Sequence, residues 1–267
     1  MAFFQFHFFS ETLGMQSEAY VIIPQRQVSG QIGIESESRA EKYKCLYLLH
    51  GLSDDHTIWM RRTSIERYAS KYGICVVMPC AHRSFYSNTS YGAKYYDFVA
   101  RELPGLICEF FNVSNKREDN FIAGLSMGGY GAIKAALTYP ERFGGAASLS
   151  GTLDIADASR NRPMDEWRGI FGFDMKNQSE LKGTRHDLFA LAQQLHDEGS
   201  SFPHIYLWCG EQDRGHEYSE RFSALLKDFG VPHRYDSSEG DHSWPWWDRY
   251  IQDAMYYLTE QMPPMAQ

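Results

Sequence analysis

The chain has 267 residues, of which 43% are hydrophobic, 22% charged and 15% aromatic. That composition excludes a disordered or fibrous chain, and the length suits one large domain over 1–267 with a core that needs no disulfide or metal staple. Lys and Arg number 26 against 34 Asp and Glu, a formal charge of −8, which argues against a nucleic-acid partner and against an anionic membrane surface.

In chain order, the first segments FFQFHFF and EAYVIIP read as strands. Phe3, Phe4, Phe6, Phe8 and Phe9 crowd the first, with no preceding basic residue and no cleavage site of small residues. An aromatic edge strand is expected there rather than a signal peptide, with an oligomer contact as the sharper alternative. KCLYLLHG and GICVVMPC are the next strands, and the spacing predicts a helix over Thr57–Lys71 between them. YYDFVARELPGLICEFF places Phe98, Leu103, Leu106, Ile107 and Phe110 at helical spacing, with a kink or break expected at Pro104. NFIAGLS reads as a short buried strand, GGYGAIKAALTYPERF as a helix and GAASLSGT as a strand. HIYLWCG is a strand, EYSERFSALLKDFG a helix closed by Gly230, PHRYDSSEG a strand running into a loop, and WPWWDRYIQDAMYYLTEQM a final amphipathic helix.

Apolar strands alternating with helices predict an α/β fold with a mostly parallel sheet covered on both faces, and the early strands add an antiparallel edge. Residues 155–200 break the rhythm; they are long for a crossover connection, and part of them is expected to cover the active site, with an ordinary helical connection as the alternative. No apolar run approaches the ~18 residues of a membrane span. The five cysteines, Cys45, Cys75, Cys80, Cys108 and Cys209, are odd in number and lack CxxC spacing. They read as free thiols in a reducing, cytoplasmic compartment, and no zinc site is expected.

Gly124-Leu125-Ser126-Met127-Gly128 matches GxSxG. The pattern alone is weak, but here a strand precedes it and a helix follows, as a nucleophile on a sharp strand-to-helix turn requires. Among the ten histidines, His242 in the loop SSEGDHSW lies between the last strand and the last helix, where it can reach back to the serine. It is the candidate general base. His233 is expected to be pinned in its strand. Asp213, after HIYLWCG, is the candidate acid that orients His242, with Glu211 as runner-up and Asp241 as a residue that structures its own loop. The oxyanion hole needs two backbone N–H donors, and Met127 and Leu52 are the candidates. His50 is expected to be structural. Trp244, Trp246 and Trp247 are expected to pack the last helix. Asp54, Asp55 and His56 are consecutive, a poor metal cluster, and read as a solvated loop or helix cap. No nucleotide motif and no metal pattern is present, so neither cofactor nor metal is expected.

The segments YLLHGLSDDHTIWMRRTSIER, YYDFVARELP, KREDNFIAGLSMGGYGAIKAAL, WRGIFG, WCGEQD and GDHSWPWWDRYI together resemble the esterase D-like α/β-hydrolases, most closely the bacterial tributyrin esterases. The resemblance spans nearly the whole chain. It implies an α/β-hydrolase fold with a small cap after the sixth strand. It implies a cofactor-free carboxylesterase for short acyl chains, acetylated or feruloylated sugars included, that often forms homo-oligomers. It implies the triad Ser126, Asp213 and His242, with Leu52 and Met127 at the oxyanion, and places Trp167 and Phe171 of WRGIFG on the substrate pocket. The alternatives are an S-formylglutathione hydrolase, an acyltransferase and, from another class, a binding module without catalysis. An incomplete triad would mark the last of these, and every triad position is filled.

Overall fold

The computed structural model describes residues 1–25, 32, 41–157, 163–172 and 174–261. The expected covering segment, 155–200, therefore lies partly outside the described residues, at 158–162 and 173. Among the described residues, eight strands form one sheet: β1 (Ala2–Ser10), β2 (Met15–Ile23), β3 (Cys45–Leu49), β4 (Cys75–Pro79), β5 (Asn120–Leu125), β6 (Gly145–Leu149), β7 (His204–Gly210) and β8 (His233–Ser238), in spatial order β1-β2-β4-β3-β5-β6-β7-β8. β1 pairs antiparallel with β2, and β2 antiparallel with β4; every other pairing is parallel. The aromatic strand is thus the sheet edge, with Phe8 buried and Phe3, Phe4 and Phe9 exposed.

The helices are α1 (Ile58–Arg62), α2 (Ile65–Lys71), α3 (Tyr95–Asp97), α4 (Leu103–Phe110), α5 (Met127–Thr138), α6 (Met164–Phe171), α7 (Leu188–Asp197), α8 (His216–Asp228) and α9 (Trp244–Tyr256). Side chains alternate across the central strands because successive residues point to opposite faces. Cys45, Tyr47 and Leu49 of β3 join the core under α4, α5, α7 and α8; Leu46 and Leu48 join the core under α2 and α9. Strands buried on both faces read as continuous apolar runs, which is why β3, β4 and β5 are legible in the sequence.

Three helix boundaries depart from expectation. The stretch Thr57–Lys71 is two helices, because Thr63 is extended (φ −136°, ψ 171°), with its hydroxyl bonding Trp59 O and accepting from Ile65 N–H. The kink or break expected at Pro104 takes the form of a π-helical turn, Phe98–Glu102, that ends as Leu103 N–H bonds Phe98 O. Pro104 then falls in the first turn of α4, directly after the π turn. The last helix likewise widens into a π turn, Tyr257–Gln261, beyond α9.

Candidate active site

The parallel strands end together, and their C-terminal ends carry the candidate site, as expected of an open α/β sheet. Ser126 sits between β5 and α5 with φ 53° and ψ −115°, a left-handed backbone conformation that costs energy for any residue with a Cβ. Its N–H bonds Leu149 O of β6, and its carbonyl accepts from Tyr130 N–H inside α5 and from Thr152 N–H. The turn closes only because its flanks are glycine. A Cβ on Gly124 would lie 2.5 Å from Gly128 C, and one on Gly128 would lie 2.5 Å from Leu49 O and 2.7 Å from His50 O.

His242 lies in the loop between β8 and α9. Its Nε2 is 3.0 Å from Ser126 Oγ and its Nδ1 is 2.8 Å from Asp213 Oδ2. Its ring packs edge-on against Trp247, with centroids 5.0 Å apart, which fixes the ring plane. Asp213, in the loop after β7, has a fully buried side chain. Burial by itself would raise its pKa, but the hydrogen bond and charge of His242 and the Gly215 N–H on Oδ1 at 2.7 Å hold it below the usual value. The runner-up acid, Glu211, is exposed, and its backbone N–H bonds Ser238 O. Asp241 accepts from Ser243 Oγ and N–H is donated by Ser243 to Asp241 O, a local loop arrangement.

Met127 is the first residue of α5, so its N–H belongs to the first turn, whose donors have no partner within the helix. Leu52 follows β3 and lines the same cavity as Ser126. His50 is buried, and burial pushes its pKa down to about 4. It stays neutral, donating from Nδ1 to Gly51 O at 2.7 Å and accepting Ala81 N–H at Nε2, 3.0 Å. That bond ties the candidate oxyanion loop to the end of β4.

Ser126 and His242 open into a cavity of about 810 Å³. Its wall includes Asp54, Arg83, Glu166, Arg214, Trp244 and Trp247. Trp167 and Phe171 are not on it. They stack on each other at 5.0 Å, Trp167 packs on Phe85, and Phe171 meets His186 edge-on. Helix α6 is amphipathic: Trp167 and Ile170 turn into the core, while Glu166 and the preceding Pro163 face the cavity. The two aromatics expected on the pocket therefore anchor the helix that supplies part of the wall.

Two further sequence readings change. Trp244 and Trp247 do pack α9, but they also line the cavity; their i, i+3 spacing just after His242 is a helical face that could have signalled this. Of the expected solvated triplet, Asp55 does accept from Thr57 N–H and Oγ1, but His56 is buried and Asp54 lines the cavity. Arg83 Nε bonds Glu166 Oε1 at 2.8 Å, linking the loop after β4 to α6. No sequence signal joins residues so far apart.

Residues 23–258 match the model of a family described as "putative esterase". The acetyl esterase of Caldicellulosiruptor saccharolyticus is 31% identical over 97% of this chain and 99% of its own. Two solved structures from Staphylococcus aureus are each 35% identical over 97% of this chain. They are fluorophosphonate-binding serine hydrolase F, with TM-score 0.86 over 98% of its chain, and an S-formylglutathione hydrolase, with TM-score 0.84 over 99% of its chain. The architecture is the α/β-hydrolase fold that the sequence implied.

Proposed function

This chain belongs to the esterase family and is a serine esterase acting on carboxylic esters; we propose that Ser126, His242 and Asp213 carry its reaction and that short acyl esters, acetylated sugars among them, are its substrates. The observation behind this reading is the hydrogen-bonded line from Asp213 through His242 to Ser126 at the floor of one cavity. His242 Nε2 takes the Ser126 proton as Oγ attacks the ester carbonyl. The negative charge that develops on the carbonyl oxygen meets the N–H groups of Leu52 and Met127 at the positive end of α5. His242, held in one tautomer by Asp213, then protonates the leaving alcohol. Water activated by the same histidine releases the acid from the acyl-enzyme.

The acetyl esterase relative supports a short acyl group. The S-formylglutathione hydrolase relative supports a thioester as the second reading, since the leaving group changes but the acyl-enzyme does not. Acyl transfer needs an acceptor site that excludes water, and the wall here mixes Asp54, Arg83, Glu166 and Arg214 with its tryptophans. In the same reading, the segment 155–200 forms the cap of a single domain, and the exposed aromatics of β1 are the contact of a homo-oligomer, which sedimentation velocity tests. Among the described residues no helix is long and apolar enough to cross a membrane. The free cysteines support a reducing, cytoplasmic setting.

The test is a series of p-nitrophenyl esters from acetate to decanoate, with S-formylglutathione beside it, on wild type and Ser126→Ala. Turnover peaks at acetate to butyrate and is lost in the variant. Residual activity above about one part in a thousand would remove Ser126 as nucleophile. Turnover of S-formylglutathione alone would replace the ester reading with the thioester one.

A further inference from the structure

A second cluster of reactive side chains lies outside the esterase cavity. Glu18 of β2, buried His56 between β3 and α1, and buried Cys80 just beyond β4 bring a carboxylate oxygen, an imidazole nitrogen and a thiol sulfur within 4.8 Å of one another. The topology makes this meeting. The antiparallel hairpin β1–β2 lays Ala19 opposite Pro79, so that Cys80 N–H bonds Glu18 O at 3.3 Å. The loop after β3 then folds His56 over the same end of the sheet.

His56 is only 8% exposed, and its Nδ1 has no hydrogen-bond partner. The nitrogen lies 3.3 Å from Glu18 Oε1 without the alignment of a hydrogen bond. Tyr20 packs edge-on against the ring, with centroids 4.6 Å apart, and holds that aim. A buried imidazole nitrogen left unpaired is costly, and so calls for an explanation. Two more histidines complete the ring. His82 has both ring nitrogens 3.8–3.9 Å from Cys80 Sγ, and His7, directly opposite Glu18 in the β1–β2 ladder, has Nδ1 3.8 Å from Glu18 Oε2. A cavity of about 260 Å³ opens onto Glu18, Cys80, His82 and His7, and none of its lining residues lines the Ser126 cavity.

We propose that Glu18, His56, Cys80 and His82 form a binding site for a borderline-soft divalent metal ion of the zinc class. Sulfur, nitrogen and oxygen donors together suit Zn²⁺ or Co²⁺ over Mg²⁺ or Ca²⁺, which take oxygen alone. Neighbouring ligand atoms of a tetrahedral zinc site lie about 3.3–3.7 Å apart, given bonds of about 2.0–2.3 Å. The Glu18, His56 and Cys80 donors, within 4.8 Å of one another, need contractions of at most about 1.5 Å, which half-exposed Glu18 is free to supply, and exposed His82 is free to move in as the fourth ligand. His82, whose ring nitrogens lie beside Cys80 Sγ, turns one of them toward the ion. His7 closes on the second carboxylate oxygen and orients it, as outer partners do at metal sites. Binding sends the Cys80 thiol proton to solvent as the thiolate forms. The ion would tie three chain segments together: the N-terminal hairpin, the loop that carries Leu52, and the end of β4 whose Ala81 N–H holds His50.

The test uses chelator-treated full-length protein near neutral pH, with Zn²⁺ followed by calorimetry and Co²⁺ by absorbance. The expected result is one ion per chain, a thiolate-to-cobalt charge-transfer band, proton release on binding, and a higher Tm with zinc. Cys80→Ser abolishes the band, and it and His56→Gln each weaken Zn²⁺ binding at least about tenfold, while Cys108→Ser changes nothing. Failure of wild type to bind either ion, or a band that survives in Cys80→Ser, overturns the proposal. Should the variants not fold, alkylation of Cys80 in wild type decides: protection of that thiol by zinc supports the site, and alkylation unchanged by zinc overturns it. None of these readouts depends on esterase turnover.

Discussion

At the scale of single residues, the proposed chemistry rests on how Asp213 is held. Its side chain is fully buried, yet His242 and Gly215 N–H keep its carboxyl ionised and its pKa lowered. A group whose folded pKa is depressed contributes stability above its unfolded pKa of about 3.9, and that contribution is lost as pH falls through the lower folded value. Asp213 therefore holds His242 in place across the neutral range and well into acid. Asp213→Asn should leave the fold intact and lower kcat on the order of 10⁴-fold, because the amide favours the wrong imidazole tautomer. Exposed Glu211 makes the control: Glu211→Gln should change kcat by less than about threefold. Steady-state kinetics of both variants checks this, and a larger loss in Glu211→Gln would reassign the acid.

At the scale of elements, β5, the turn at Ser126 and α5 act as one unit pressed against the end of β3. Gly128 is where they touch, with Leu49 O and His50 O directly over its Cα. A methyl group there must push β3 and the His50–Leu52 loop away from α5. Overpacking of this kind costs about 1–3 kcal/mol, and moving a donor by a fraction of an ångström impairs a preorganised site. Gly128→Ala should lower Tm by several degrees and kcat/KM by at least about tenfold. Thermal unfolding followed by circular dichroism, together with ester kinetics, would show it; a variant with wild-type Tm and turnover would mean that the contact is slack. GxSxG is recognisable because this crowding leaves glycine as the residue that fits.

At the scale of the whole molecule, Lys134 is a buried cation behind the site. It lies on α5 and reaches Ser87 Oγ at 2.9 Å, Tyr86 O at 3.4 Å and His186 Nδ1 at 3.2 Å. One ammonium thus joins the helix, the loop after β4 and the segment before α7. Burial lowers its pKa from 10.5 to about 7. Between those values the unfolded chain binds a proton that the folded chain lacks, so this group makes stability rise with pH across the window. Below about 7 the full cost of the buried charge is present. Lys134→Met removes that dependence. Denaturant unfolding of both proteins from pH 7 to 10 should show wild type gaining on the variant as pH rises, and a constant difference would mean that Lys134 does not titrate there.

Local geometry was legible in the sequence. Buried parallel strands declare themselves as apolar runs, and the crowded turn at Ser126 as glycines on either side of a serine. The order of Ser126, Asp213 and His242 along the chain follows the ends of three strands, each next to a strand that the pattern marks. Tertiary packing decided what depends on side chains from distant segments. Trp167 looked like a pocket residue but turned inward, because α6 buries its aromatic face against Phe85 and leaves Pro163 and Glu166 to the cavity. His56 sat in a polar DDH run that reads as solvated, yet the N-terminal hairpin covers it and brings Glu18 and Cys80 to its nitrogen. Period and motif report what a residue's neighbours in the chain demand. Which face of a helix is covered, and which of ten histidines meets a cysteine 24 positions away, is set by contacts between segments that carry no common signal until the sheet has assembled.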